Sequence, residues 1–148
     1  MISLILLLAC GFSVSFILYR DSSEKVASYR DLYEICRIVE DRIRCERAPL
    51  TEIFDGLAPD LRRRLGEYRA VGAAESLSRV VPTGGDEVFR LAEGIASGDY
   101  DSALSFAGLL KKHTEKEMQR VAEESKRGAK ARAYLPVAAS LLAALLLI

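Results

Sequence analysis

Tryptophan is absent, histidine occurs once and cysteine three times. Each scarcity excludes something. Without Trp, and with few aromatics among the charged residues, there is no surface on which nucleobases would stack. A formal net charge of zero removes the electrostatic drive toward nucleic acid. The lone His113, between Lys112 and Thr114, has no Cys or Ser partner at a recognisable spacing and reads as an exposed helix residue. No cluster of His, Cys and carboxylates has metal-ligand spacing. No Gly-rich phosphate loop leads into Lys-Ser/Thr. The carboxylates are interleaved with Lys and Arg, the pattern of a solvated surface. In a chain of 148 residues, enough for one domain, this favours a protein that holds others in place over an enzyme, with no cofactor.

Three cysteines do not make a disulfide framework. Cys10 lies in an apolar run. Cys36 and Cys45 lie on one expected helix, roughly 13 Å apart along its axis, too far to bridge. Free thiols among the charged residues suit a reducing compartment.

Charge is missing from both ends. Every Asp, Glu, Lys and Arg falls between Arg20 and Arg132. Met1 to Tyr19 is apolar except for Ser3, Ser13 and Ser15, whose hydroxyls can return to the backbone. As a helix it rises roughly 28 Å, about one hydrocarbon thickness. From Ala133 to Ile148 a helix rises roughly 24 Å, with Lys130 and Arg132 long enough to lift their charges to the headgroups. Pro136 is expected to kink this segment. Arg20 follows the first run, and Lys126, Arg127, Lys130 and Arg132 precede the last. Both basic flanks therefore face the middle of the chain, which places residues 20–132 in the cytoplasm and both termini outside. The expected division is an N-terminal membrane anchor (1–19), a cytoplasmic helical domain (20–132) and a C-terminal membrane segment (133–148). The alternatives are a buried C-terminal core helix, and a secreted lipoprotein acylated at Cys10 after Leu7-Leu8-Ala9. Neither the lipoprotein nor a cleaved signal peptide is favoured, because Met1-Ile2-Ser3-Leu4 carries no basic n-region.

The middle reads as helices throughout. Tyr29, Leu32, Cys36, Val39 and Ile43 draw one stripe down a helix over Glu24 to Arg47, widened by Tyr33, Ile35 and Ile38. Ser22 or Ser23 is a candidate cap, although a helix running straight through from the apolar run is equally compatible. Ala48-Pro49 ends it, with Pro49 expected at the first position of the next helix. There Leu50, Ile53, Phe54 and Leu57 face inward, and Gly56 and Pro59 stop the chain. Asp60 to Tyr68 follows with Leu61, Leu65 and Tyr68 inward. Arg62, Arg63 and Arg64 fan around that helix as a solvated face; with Asp99 they are the candidates for a partner contact. Ala73 to Val81 is a short helix through Leu77, Val80 and Val81. Pro82 to Gly85 is a loop, and Asp86 caps or opens the helix carrying Val88, Phe89, Leu91, Ala92 and Ile95. Gly98 to Asp101 is the last break. Asp101 or Ser102 is expected to cap a long helix with Leu104, Ala107, Leu110, Thr114, Met118, Val121 and Ser125 inward.

Gly84-Gly85-Asp86-Glu87-Val88 resembles the Gly-Gly-Asp-Glu-Phe signature of diguanylate cyclases. That chemistry needs the string on a β-hairpin, and no alternating strand pattern flanks it, so a glycine loop is expected instead.

The order of elements resembles a known family. An apolar segment leads into Tyr29-x-x-Leu32-x-x-x-Cys36-x-x-Val39, then Arg47-Ala48-Pro49-Leu50-Thr51-Glu52-Ile53. Phe89-Arg90-Leu91-Ala92-Glu93-Gly94 and Gly98-Asp99 follow, then a long charged helix and Tyr134-Leu135 before the terminal apolar run. Together these resemble stage III sporulation protein AB of endospore-forming bacteria, over nearly the whole chain. The departures are Ala103-Leu104 where the family carries a Gln, and Pro136 where it carries Gly. The breaks counted above make an all-α antiparallel bundle of about six helices, and the resemblance implies that it is similar to the cytoplasmic domain of type II secretion F proteins. It further implies a place in the mother-cell membrane facing the forespore, within a channel complex. The implied partners are the ATPase stage III sporulation protein AA and other stage III channel subunits, besides the lipid bilayer and further copies of the chain.

Overall fold

The computed structural model describes residues 2–146, and the side chains of these except 2–4, 7, 8, 133, 144 and 146. Among the described residues the chain is helical, with no strand. The helices are α1 (Ile2–Glu46), α2 (Leu50–Asp55), α3 (Pro59–Leu65), α4 (Tyr68–Val71), α5 (Ala73–Arg79), α6 (Gly85–Ser97) and α7 (Tyr100–Leu146). Since α4 is a single turn, the expected count of about six holds. The chain divides into two compact units, one of Met1–Val26 with Arg120–Ile148, the other Ala27–Gln119.

The apolar ends expected to span a membrane include Met1 to Leu4, Leu7, Leu8, Ala133, Ala144 and Leu146 to Ile148, which lie wholly or in their side chains outside the described residues. Among the described residues no helix is long and apolar enough to cross a membrane.

No new helix starts at Ser22 or Ser23. Arg20 pairs with Glu24 (2.9 Å) and Asp21 with Lys25 (3.0 Å), both one turn apart, so ion pairs brace the turn where a cap would have sat. The helix ends where Arg47 turns left-handed, at φ 53°. Its N–H still reaches the Ile43 carbonyl (3.1 Å), the usual closing bond of a helix C-terminus. A side chain at positive φ is costly, and the Arg47 guanidinium lies 4.4 Å above the Tyr100 ring, a contact that offsets part of the cost.

In the Ala27–Gln119 unit the expected stripe of α1 is the core. Tyr29, Leu32, Cys36, Val39 and Ile43 are all buried. Other buried members of that core are Ile35 from α1, Leu50, Ile53, Phe54 and Leu57 from α2 and its exit, Leu65 and Tyr68 from α3 and α4, Leu77, Val80 and Val81 at α5, Val88, Leu91, Ala92 and Ile95 from α6, and Ala107, Leu110 and Thr114 from α7. Leu104 and Met118, expected inward, are half-buried, and His113 is half-buried where an exposed position was expected.

Several boundaries move. Pro49 precedes α2 as its cap, and its carbonyl accepts from Glu52 and Ile53. Pro59 opens α3 and does not merely close α2, because its missing N–H is harmless at a first position. The expected helix 60–68 breaks at Gly66, φ 65°, so Tyr68 begins α4. The cap of α7 is Asp99, whose Oδ1 accepts the Ser102 N–H at 3.0 Å, so the helix starts ahead of both expected caps. Hydrogen bonds from Ser102 hold the Asp99 carboxyl below the usual carboxylate range.

The Gly84-Gly85 pair has a structural cause. Gly84 is left-handed at φ 74°. A Cβ on Gly85 would lie 2.7 Å from the Ser78 carbonyl oxygen. The Tyr29 hydroxyl donates to the Thr83 carbonyl at 2.7 Å and ties the loop to α1. Asp86 and Glu87 are first-turn residues of α6, where carboxylates favour the helix dipole. The string lies on a loop and a helix, and the hairpin of a cyclase signature is not what it forms.

One polar atom is out of place. Ser76 is fully buried on α5, and its Oγ has no hydrogen-bond partner among the described residues. Ser76→Ala removes an unsatisfied hydroxyl and adds helix propensity. The variant is expected to be more stable by about 1 kcal/mol in chemical denaturation; a loss of stability would show that the hydroxyl has a partner.

Candidate functional site

The unit formed by Met1–Val26 and Arg120–Ile148 is an antiparallel pair made by the first part of α1 and the last part of α7. Its register follows from side chains. Ser22 Oγ bonds Ser125 Oγ at 2.9 Å, and Ser15 Oγ donates to the Arg132 carbonyl at 3.1 Å. One turn on along α1, a Cβ at Gly11 would come 2.5 Å from Ser140 Oγ and 3.2 Å from the Pro136 carbonyl oxygen. The two helices therefore approach closely at Gly11, and it and Ser140 are both buried.

Ser15 has a specific task. Pro136 lies inside α7 and has no N–H to give the carbonyl one turn back, which is that of Arg132. The Ser15 hydroxyl fills that vacancy from the other helix. Ser15 thus returns its hydroxyl to a backbone carbonyl, here one on the other helix. Ser13 bonds its own helix, at the Ala9 carbonyl, at 2.8 Å. Ser3 lies among the side chains outside the description. Ser140 bonds the Pro136 carbonyl at 2.7 Å. Small residues and hydroxyls at the seam, with apolar side chains outside, are how helices associate where hydrocarbon replaces water.

The outer surface of this pair is bare. Ile5, Leu6, Phe12, Phe16 and Ile17 on α1, and Leu135, Leu141, Leu142 and Leu145 on α7, are each more than half exposed. The expected basic flank collects at one end of the pair. Arg20 is engaged with Glu24, and Arg127 is 4.0 Å from Glu123. Among the described residues Lys126, Lys130 and Arg132 have no ion-pair partner. The last acidic residue of the chain is Glu124.

The candidates for partner contact are not brought together. Arg62, Arg63 and Arg64 are exposed on α3. Arg62 reaches the Asp55 carbonyl (3.4 Å) and Arg64 pairs with Asp31 (3.0 Å). Asp99 is occupied as the cap of α7, and no hydrogen bond or ion pair among the described residues joins it to these arginines. Asp99, Arg47 and Tyr100 line a groove of about 450 Å³ in the Ala27–Gln119 unit. Both of its charged side chains are already engaged, by the cap and by the ring stack.

The remaining polar clusters brace the fold. Glu40 is buried and accepts from Lys111 (2.7 Å) and Arg44 (2.8 Å); the hydrogen bond to Glu40 raises the Lys111 pKa. The Tyr68 hydroxyl and the Arg69 guanidinium both donate to Asp55 and hold its carboxyl below the usual range. Cys36 is buried against Thr114 Oγ1 at 3.7 Å, and burial pushes its thiol up to about 12, so it is not a nucleophile at neutral pH. Among the described residues no group of His, Cys, Asp and Glu could hold a metal ion.

Compared with known proteins, the chain matches no family model, no curated protein and no solved structure.

Proposed function

We propose that the chain is a non-enzymatic, membrane-anchored platform subunit of the kind its sequence resembles, a stage III sporulation protein AB in a channel complex between mother cell and forespore. The observation that carries this reading is the bare apolar surface on the paired ends of α1 and α7. Soluble monomers rarely leave so many large apolar side chains together in water. Hydrocarbon would cover them without penalty, since the helical backbone satisfies itself and Ser15 meets the carbonyl that Pro136 frees. Over the full sequence, 19 residues before Arg20 and 16 after Arg132 carry no charge. The basic residues at one end of the pair make that end cytoplasmic. In this reading the Ala27–Gln119 unit is the cytoplasmic docking body. The ATPase stage III sporulation protein AA and neighbouring channel subunits are its partners, and its architecture is that of a type II secretion F-like domain.

The test uses the cysteines in an endospore-forming host. Cys45 is exposed, whereas Cys36 is buried with a raised pKa and reports nothing. A membrane-impermeant maleimide is expected to label Cys45 only after permeabilisation, and deletion of the gene is expected to arrest development after engulfment. Labelling of Cys45 in intact cells would overturn the topology. Normal sporulation without the gene would overturn the role.

A further inference from the structure

The paired ends of α1 and α7 enclose a groove of about 430 Å³, walled by Phe12, Phe16, Tyr19, Ser22, Ser125 and Arg132. Its composition is graded. Phe12 and Phe16 form an apolar end, and the Ser22–Ser125 pair closes the other. Arg132 is half-buried, and its guanidinium turns back along α7 over Gly128, where a Cβ would lie 3.1 Å from Cζ, Nε and Nη2. In the register set by Ser15–Arg132 and Ser22–Ser125, Gly128 stands level with Tyr19. By that register the guanidinium lies along α7 at the level of Tyr19, a turn from Phe16 on one side and from the Ser22–Ser125 pair on the other, and has no ion-pair partner among the described residues. An Arg held this way offers a planar fork of donors to a phosphate, where a Lys would offer a point charge.

We propose that this groove seats one anionic phospholipid, its headgroup phosphate on Arg132 and an acyl chain along Phe12 and Phe16. The proposal rests on the membrane reading above and adds a specific lipid to it. Charge complementarity selects the occupant. Among the described residues Lys126 and Lys130 also have no ion-pair partner, so the cationic end of the pair carries uncompensated positive charge next to an apolar slot. A neutral helix from a second copy would leave the guanidinium unpaired, and burying it so is expensive.

The experiment reconstitutes the full chain in vesicles of phosphatidylcholine alone, and in vesicles with part of it replaced by phosphatidylglycerol. Each set carries a trace of the corresponding lipid bearing a photoactivatable acyl chain. Adducts are mapped by peptide mass. The phosphatidylglycerol probe is expected to label residues 12–19 more than the phosphatidylcholine probe, by about fivefold, the effect of one favourable charge at an anionic surface. Arg132→Gln is expected to remove that difference, and Lys112→Gln, an exposed lysine of the Ala27–Gln119 unit, to leave it in place. Gly128→Ala keeps every charge and favours the helix, yet crowds the guanidinium; it is expected to reduce the difference, and it guards against a folding defect in the Arg132 variant. Equal labelling by both probes, an undiminished preference in Arg132→Gln, or crosslinks from the groove to a second copy would each overturn the proposal while the membrane reading stands. Failure of the chain to float with vesicles of either composition would overturn both.

Discussion

Phe54→Ala is expected to destabilise the detergent-solubilised chain by about 3–5 kcal/mol, the usual cost of emptying a fully buried aromatic site. Phe54 has no exposed surface and sits on α2, a helix of only six residues. A helix that short does not hold itself, and survives only through the face it buries. Leu50, Ile53 and Phe54 are that face. The Phe54 ring also meets the Tyr68 ring edge-on, with centroids 5.4 Å apart and an angle of 84°, a geometry that adds to area burial. Tyr68 in turn donates to Asp55 at the end of α2, so it ties α4 to α2 alongside the Arg69–Asp55 pair. Denaturant unfolding followed by circular dichroism checks this: the midpoint should fall while the slope stays near that of the parent. A loss below about 1 kcal/mol, the range of surface substitutions, would mean the pocket collapses around the missing ring.

Gly94→Val has the opposite defect, too much volume. A Cβ at Gly94 would lie 2.7–2.8 Å from three atoms of the Phe106 ring, closer than real contacts allow. The expected cost is about 2–3 kcal/mol, from overpacking plus the poor helix propensity of a β-branched residue. Elsewhere in a helix, replacing Gly with a larger residue would be neutral or favourable. The ring makes the difference, so Phe106→Ala in the same chain should recover part of the loss. A coupling energy of about 1 kcal/mol or more in the double-mutant cycle is the expected result. Strict additivity of the two substitutions would place the strain elsewhere.

Much of the helical domain is legible in the residues, and the reasons are local. The α1 stripe from Tyr29 to Ile43 is buried as its spacing requires, because a period of three and four leaves one face to cover. Gly72 and Gly84 break the chain where composition places breaks, both at positive φ, whereas Gly66, also at positive φ, interrupts a helix expected to run from Asp60 to Tyr68. Caps were less legible. Asp99, Asp101 and Ser102 are all capping types within four residues, and only the backbone path selects Asp99. Serines 22 and 23 carry the same ambiguity, resolved by two ion pairs whose strength no pattern ranks. Arg47 at positive φ had no signal at all, since its support is the ring of Tyr100, more than fifty residues away.

The candidate site divides along the same line. Its basic residues are plain in the sequence, because charge stops abruptly at Arg20 and Arg132. The groove is not, because it exists only once two distant segments are set in register. One clue was available: Pro136 strands the carbonyl of Arg132, and a hydroxyl donor had to come from somewhere. The sequence alone does not name Ser15 as that donor.

That borrowed rung has a mechanical consequence. Two smooth greasy rods slide past each other freely, since every offset offers similar contacts. Here a shift of a single residue would pull the Ser15 oxygen off the Arg132 carbonyl and drive Gly11 away from Ser140. The pair behaves as a ratchet with one tooth engaged: it resists piston-like displacement, and a force applied along one rod is handed to the other.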